Sequence, residues 1–228
     1  MAERILLVED EEKLARMVEL ELQYEGYEVE KAFDGRAGLD RALSGEFDLV
    51  LLDLMLPGLT GEEFITRIRR GRTMPIIVLS AKAGLEDRVN VLRLGADDFI
   101  PKPFDNAEVL ARVEAQLRRY KQFSGGGGSA VLTHGDLTLD REGVTVTAAG
   151  KPVTVTAREF DILTLLMEHP KKVFTREQLY EQVWGGEYMG DDNTVNVHIS
   201  NLRAKLAKAS PAEYIKTVWG IGFKMSDL

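Results

Sequence analysis

Three runs of four consecutive apolar residues, Ile5–Val8, Leu49–Leu52 and Ile76–Leu79, narrow the choice of fold more than any other feature of this 228-residue chain. A strand with one wet face alternates apolar and polar side chains. An unbroken apolar run is buried on both faces, as in a parallel sheet covered by helices on either side. Tyr27–Phe33 and Phe99–Ile100 are weaker strand patterns. Between the runs, Leu14, Val18 and Leu22 recur every four residues, and so do Val109, Val113 and Leu117. Thr60 to Glu63 reads as a helix-starting capping box. Five such βα units in the first 121 residues predict an α/β fold, a doubly wound five-stranded parallel sheet. Ligands of such sheets sit beyond the carboxyl ends of the strands.

Chemistry gathers at those ends. The first run is followed by Glu9 and Asp10, the second by Asp53 and the third by Ser80, and the last strand pattern runs into Lys102-Pro103. A parallel sheet brings all of them to one rim. Two or three carboxylates held together repel one another and suit a hard cation with oxygen ligands, for which Mg²⁺ is the expected ion. Asp53 can attack phosphorus as a carboxylate nucleophile. The cation, Lys102 and the Ser80 hydroxyl can neutralise the transferred phosphoryl oxygens. Any one of these residues alone reads as an ordinary exposed polar group; the weight lies in their convergence. A phosphohydrolase with an aspartate nucleophile usually has a second aspartate two residues on, where this chain has Met55. No P-loop is present. A protein-interaction module that keeps both folds without their chemistry is the other alternative.

Ser124–Ser129, with four consecutive glycines, is a flexible tether by composition. It divides the chain into 1–121, a linker at 122–130 and a second domain at 131–228. That second part carries short strand patterns at Leu137–Leu139, Val144–Thr147 and Val153–Val155. Capping boxes follow at Thr156–Glu159 and Thr175–Gln178, then a helix from about Asn193 to Lys208, and a closing hairpin, Ile215–Val218 and Phe223–Met225, around Gly220 and Gly222. Three helices flanked by strands predict a small α+β domain. The first 129 residues carry 18 Lys and Arg against 24 Asp and Glu, the remainder 11 against 13. Any nucleic-acid surface is therefore local, with few phosphate contacts. No cysteine is present, which excludes disulfides and suits a reducing cytosol. No run approaches the roughly 18 apolar residues of a membrane span. The first residues enter a strand directly, so no secretory signal is expected.

Residues 1–121 resemble the receiver domain of two-component response regulators, through ILLVED at 5–10, LLDLMLPG at 51–58, IVLSA at 77–81 and GADDFIPKPF at 95–104. The resemblance implies a flavodoxin-like sheet with Asp53 as phosphoacceptor. Mg²⁺ would lie on Asp10, Asp53 and the Met55 carbonyl, with Glu9 assisting through water. Lys102 would contact the phosphoryl group, Ser80 and Phe99 would be the switch residues, and the Lys102–Pro103 bond would be cis. At Phe99 tyrosine is the commoner choice, so a hydroxyl contact is lost there.

In the long helix near the C-terminus, Val195, Ile199, Leu202 and Leu206 form one buried stripe. The opposite face, Asn193, Asn196, Val197, Ser200, Asn201 and Ala204, is small or amide-bearing, with His198, Arg203 and Lys205 flanking it. By periodicity alone that is an ordinary solvated face. Residues 130–225, however, resemble the winged helix-turn-helix effector domain of the OmpR/PhoB family, through TAREF at 156–160, REQLYEQVW at 176–184, TVNVHISNLRAKL at 194–206 and IKTVWGIGFK at 215–224. The helix is then a major-groove reader and the hairpin a wing, with Lys224 beside it. Arg176, Trp184, His198, Arg203 and Thr217 become candidate phosphate contacts, and the loop from Trp184 to about Asp191 faces DNA or RNA polymerase. Asparagines where relatives carry arginines predict readout of A·T pairs, with Val197 against a thymine methyl. The receiver resemblance also implies a homodimer when phosphorylated, through crossed ion pairs among Arg88, Asp97, Asp98, Glu108, Arg112 and Arg119. The implied partners are a sensor histidine kinase, promoter DNA and RNA polymerase, with no membrane, in the bacterial cytoplasm. The chain would act as a transcription regulator that catalyses only its own phosphorylation and dephosphorylation.

Overall fold

A computed structural model describes every residue except 1, 83, 123–129, 186–191 and 228; the side chains of 118–122 and 192 are also outside what is described. The chain divides into two compact units, Met1–Leu117 and Arg118–Leu228.

The first unit alternates strand and helix without exception: β1 (Arg4–Val8), α1 (Glu12–Tyr24), β2 (Glu28–Ala32), α2 (Gly35–Ser44), β3 (Leu49–Asp53), α3 (Gly61–Ile68), β4 (Ile76–Ser80), α4 (Leu85–Leu94), β5 (Asp98–Pro101) and α5 (Asn106–Gln122). The sheet is wholly parallel in the order β2-β1-β3-β4-β5, the expected doubly wound, flavodoxin-like arrangement. Every side chain of β3 and β4 is buried, as unbroken apolar runs require. One face packs Leu7, Leu51 and Leu79 against Val18 and Leu22 of α1 and Val109 and Val113 of α5. Burying each such side chain contributes about 1.5–3 kcal/mol against exposure. The order reverses between β1 and β3, and that switch point is where a crevice opens at the carboxyl ends. Val8 pairs with Leu52, so Glu9 and Asp53 follow side by side.

The second unit has an antiparallel sheet of β6 (Val131–His134), β7 (Leu137–Asp140), β8 (Thr145–Ala148) and β9 (Lys151–Pro152). Helices α6 (Ala157–Glu168), α7 (Arg176–Trp184) and α8 (Asp192–Ala209) follow. A smaller sheet in the order β10-β12-β11 is made of β10 (Phe174–Thr175), β11 (Ile215–Val218) and β12 (Gly222–Met225). Thr156 and Thr175 both form reciprocal capping boxes. At Thr60 only half of one forms, the hydroxyl accepting from the Glu63 amide at 3.3 Å.

Three strand expectations need correction. Val144 lies in a turn at φ 49°, and β8 starts one residue later. Val153–Val155 is not a strand: Val153 and Val155 are buried, and the last backbone bond to β8 is the Val153 amide to the Val146 carbonyl at 2.8 Å, after which the chain leaves for the Thr156 cap. Alternation there reports the buried face rather than pairing. The strand β6 was not anticipated, although Gly135 at φ 60° turns it directly into β7.

Candidate functional site: a strand-end pocket and a helix–hairpin surface

At the carboxyl end of the first sheet the carboxylates of Glu9, Asp10 and Asp53 lie with ligand atoms within 4.8 Å of one another. Glu9 and Asp53 are buried and Asp10 is exposed. Lys102 reaches between them, its Nζ 2.7 Å from Glu9 Oε2 and bonded to Asp53 Oδ2. The Lys102–Pro103 bond is cis, as the resemblance implied. Asp53 Oδ1 accepts from the Met55 amide at 2.9 Å, which fixes the carboxylate against the loop leaving β3. That loop is held close because α3 starts on a glycine: a Cβ at Gly61 would meet the Asp53 carbonyl and the Leu54 Cα, each at 2.7 Å.

The electrostatics are divided. Burial pushes the Glu9 carboxyl up, against the lowering effect of its bond to Lys102. Burial also works against the Lys102 charge, but the bonds to Asp53 and Glu9 outweigh it and its pKa is raised. The amine therefore stays charged, one cation among three carboxylates. The surplus negative charge and all-oxygen donor set fit a hard divalent cation. Ser80, fully buried, accepts at Oγ from the Lys82 amide at 3.1 Å, and its carbonyl accepts from the Lys102 amide at 2.8 Å. Phe99 is buried, with the Arg88 guanidinium 5.6 Å from its ring centroid.

The residues expected to form a charged face do not all lie on one. Asp97 is 0% exposed and accepts from Arg69 Nη2 at 2.7 Å and the Ile76 amide at 2.9 Å. Asp98, next along, turns the other way and pairs with Arg112 Nη1 at 2.9 Å, while Arg112 Nη2 reaches Glu108 at 2.8 Å. Neighbours in an extended chain point to opposite sides. The adjacent aspartates could not have shared a face, and Asp97 leaves the set. Arg88, Asp98, Glu108 and Arg112 remain; Arg119 lies in α5 with its side chain outside the described ones.

In the second unit the expected DNA surface is also redrawn. His198 is 1% exposed, tilted against the Trp184 ring at 5.2 Å. Trp184 is itself buried, stacked on Tyr180 at 5.3 Å, with Arg158 over its ring. Val197 is 7% exposed. These three are core side chains, so none is placed for DNA, and the thymine-methyl contact is withdrawn. His198 follows Val195 by three residues and belongs to the same inward stripe. The loop after Trp184, at 186–191, lies outside the described residues.

The outward face keeps Asn193, Asn196, Ser200, Asn201 and Ala204, at least partly exposed. Asn196 Oδ1 accepts from Arg176 Nε at 3.0 Å, tying α7 to α8. Arg203 is a brace: Nη2 donates to the Ile215 carbonyl at 2.8 Å and to Thr217 Oγ1 at 2.9 Å, and its plane lies over Phe223. Burial lowers its pKa, with Glu213 opposing. Lys224 pairs with Asp227 at 3.0 Å. Arg203→Ala is expected to lower the stability of this unit by about 1–3 kcal/mol, since three bonds to the hairpin go unmade; a urea transition followed by tryptophan emission measures it, and an unchanged midpoint refutes the brace. Trp219, 90% exposed at the hairpin tip, was not among the anticipated residues. Its position between the hairpin strands, beside Gly220, was the available signal.

Comparison with known proteins agrees with both halves. The family model described as response regulator receiver domain matches residues 5–114, and that described as transcriptional regulatory protein, C terminal, matches 150–225. The uncharacterized transcriptional regulatory protein YkoG of Bacillus subtilis is 44% identical over 220 residues, 96% of each chain. The response regulator ArlR of Staphylococcus saprophyticus is 43% identical, covering 96% of this chain and 97% of its own. Among solved structures, a RitR mutant superposes with a TM-score of 0.81 at 35% identity over 99% of both chains. DrrB of Thermotoga maritima, described as an OmpR/PhoB homolog, gives 0.53 at 31% identity over 99% of this chain and 100% of its own.

Proposed function

The chain belongs to the two-component response regulators of the OmpR/PhoB type, transcription regulators that join a receiver to a C-terminal DNA-binding domain, and from that premise we propose how its own residues carry the activity. Family membership brings a sensor kinase and DNA as partners and excludes a conventional turnover enzyme. Asp53 is the phosphoacceptor: a carboxylate oxygen forms a bond to phosphorus as the bond from phosphorus to the kinase's histidine nitrogen breaks. The observation that carries this is Lys102 bonded to both Glu9 and Asp53, with Asp10 in the same cluster. Asp10, Asp53, the Met55 carbonyl and, through water, Glu9 would hold Mg²⁺. That ion supplies charge neutralisation for the phosphoryl oxygens.

The protein's own groups do the rest. Lys102 holds the carboxylate in place and then faces the phosphoryl group. Ser80 turns toward it, giving up its bond to the Lys82 amide, and Phe99 follows in the buried space beside Arg88. The same residues support self-catalysed phosphorylation from a small donor and self-dephosphorylation. Arg88, Asp98, Glu108 and Arg112, with Arg119, form the homodimer contact, Asp98, Glu108 and Arg112 exchanging the pairs they now make within one copy. Dimerisation raises apparent DNA affinity through effective concentration. The receiver spans 1–121, the Gly/Ser-rich linker 122–130 and the effector 131–228. DNA contacts fall to Asn193, Asn196, Ser200 and Asn201 in the major groove, with Arg176, Arg203, Thr217 and Lys224 near the backbone. RNA polymerase is a further partner, and the bacterial cytoplasm the place of action. No helix among the described residues is long and apolar enough to cross a membrane.

Intact mass and gel filtration, with and without acetyl phosphate and Mg²⁺, test the reading. Gain of one phosphoryl group and a shift to dimer, both requiring Mg²⁺, are expected. Phosphorylation without Mg²⁺ refutes the assigned metal site.

A further inference from the structure

The receiver helices end unequally where they run into the amino-terminal ends of the strands. A helix C-terminus carries the negative end of the dipole and favours cations. Helices α3 and α4 follow that rule, with Arg67 and Arg93 in their last turns. The dipole does not account for the rest of that side. Arg70 is exposed beyond α3, and from Phe64 to Gly84 four arginines and a lysine meet no Asp or Glu in the sequence. Arg69 Nε donates to the Gly95 carbonyl at 2.8 Å, which holds the ends of α3 and α4 together. Helix α1 breaks the rule. Its last turn has no basic residue, its C-cap is Glu25, and Glu28 is exposed just beyond, at the start of β2. Tyr24, in that last turn, is 87% exposed. Burial pushes the Tyr27 hydroxyl up, and the carboxylates of Glu114, Glu3 and Glu25 push it further, so the field on this side is negative. Helix α2 ends between the two, joined to one side by Arg41 and Glu30 at 3.3 Å and to the other by Arg72 Nη2 on the Leu43 carbonyl at 2.6 Å. Leu43 is 45% exposed there. One rim of the receiver thus has an acidic, aromatic end, an apolar middle and a basic end.

We propose that this rim pairs two copies of the chain about a two-fold axis, Tyr24, Glu25 and Glu28 of one copy meeting Arg67, Arg70 and Arg93 of the other. A two-fold contact must be self-complementary. A rim acidic at one end and basic at the other meets that condition when the second copy is turned end for end, and each match is made twice. Exposed ion pairs contribute only about 0–1 kcal/mol each. The apolar contribution comes from Leu43 near the axis and from the Tyr24 ring, whose face takes a guanidinium. The groups involved are weakly held within one copy: Glu28 meets Arg4, and Arg67 meets Glu63, each at 3.9 Å. A nucleic acid is the other natural partner of clustered arginines, but the acidic end of the same rim repels it. Arg93 lies five residues from Arg88, roughly 140° around α4, so the pairing leaves the homodimer contact proposed above open. It needs no phosphoryl group and stands apart from that contact.

Sedimentation of the full chain without phosphorylation, over a concentration series at about 0.01 M and about 1 M salt, tests the pairing. A chain of net charge −8 repels itself, and salt relieves such repulsion. The expected result is the opposite trend: self-association is strongest at low salt and about tenfold or more weaker at high salt. At low salt, Arg70→Glu with Arg93→Glu is expected to be monomeric alone, and so is Glu25→Arg with Glu28→Arg. Mixed in equal amounts the two variants should pair, because acid then meets base at both ends; that recovery also shows that both are folded. Tyr24→Ala should weaken wild-type association about fivefold or more, one cation–π contact being lost from each copy. A wild type that stays monomeric at low salt up to about 1 mM, or variants that fail to pair on mixing, overturns the proposal. Dimer that appears only after acetyl phosphate and Mg²⁺ are added overturns it too, and assigns association to Arg88, Asp98, Glu108 and Arg112. Loss of DNA affinity in the arginine variant, with no salt-sensitive association of wild type, overturns it in favour of a nucleic-acid contact.

Discussion

Asp53→Ala gains no phosphoryl group from acetyl phosphate in the presence of Mg²⁺, while wild type gains one. The expectation follows from geometry rather than from abundance of acids. Glu9 is buried with Oε2 on the Lys102 amine and Oε1 accepting from the Glu11 amide at 3.4 Å. Asp10 is exposed and has no such amine beside it among the described contacts. Glu9 shares the burial and the amine, but both its oxygens are engaged and burial pushes its pKa up; Asp53 is the carboxylate at the end of β3, held by the Met55 amide at 2.9 Å and faced by Lys102. Intact mass after incubation is the readout, and the shift to dimer should vanish with the modification. A variant that still takes up one phosphoryl group would place the acceptor on Asp10 or Glu9 and falsify the assignment.

Arg69→Ala is expected to lower receiver stability by about 3–5 kcal/mol. The guanidinium donates to the carbonyls of Gly95 at 2.8 Å and Met74 at 2.7 Å, and to Asp97. Asp97 in turn holds the first amide of β4. Truncation leaves a fully buried carboxylate without its countercharge, which costs about 3–5 kcal/mol. That is a large part of the roughly 5–15 kcal/mol that holds a domain folded. Both tryptophans lie in the second unit, so tryptophan emission follows that unit, and far-UV circular dichroism follows both. Urea unfolding should show an early transition by circular dichroism without a matching one in emission. A change under 1 kcal/mol would mean that water reaches Asp97 and the pair is not structural.

The receiver was legible because its signals are periodic and redundant. Ile5–Val8, Leu49–Leu52 and Ile76–Leu79 became central strands, and parallel register alone brought Glu9, Asp53, Ser80 and Lys102 to one rim. The effector was harder. Val153 and Val155 alternate like a strand because they face the core, yet backbone bonding to β8 stops at the Val153 amide. The two-residue β10 leaves no pattern, since its existence depends on β12 arriving from 48 residues later. His198 was misplaced because its polar type outweighed its spacing; at three residues from Val195 it turns inward, and Trp184 covers it. Arg203 and Thr217 were expected near phosphate; within the unit they also bond to each other, which spacing did not reveal. Side-chain type was read correctly there, but partner choice depends on tertiary distances that spacing does not encode.

The bond between Arg203 and the hairpin makes α8 and β11–β12 a caliper with its jaws pinned. A gauge of fixed opening does not adapt to what it measures; the measured object must bend, widen or narrow to fit. The energy of that adjustment depends on the stiffness of each base-pair step, including steps no side chain touches. Promoters for this regulator would then be sorted partly by mechanical compliance, and two sites with identical contacted bases could be occupied differently because one of them is the softer spring.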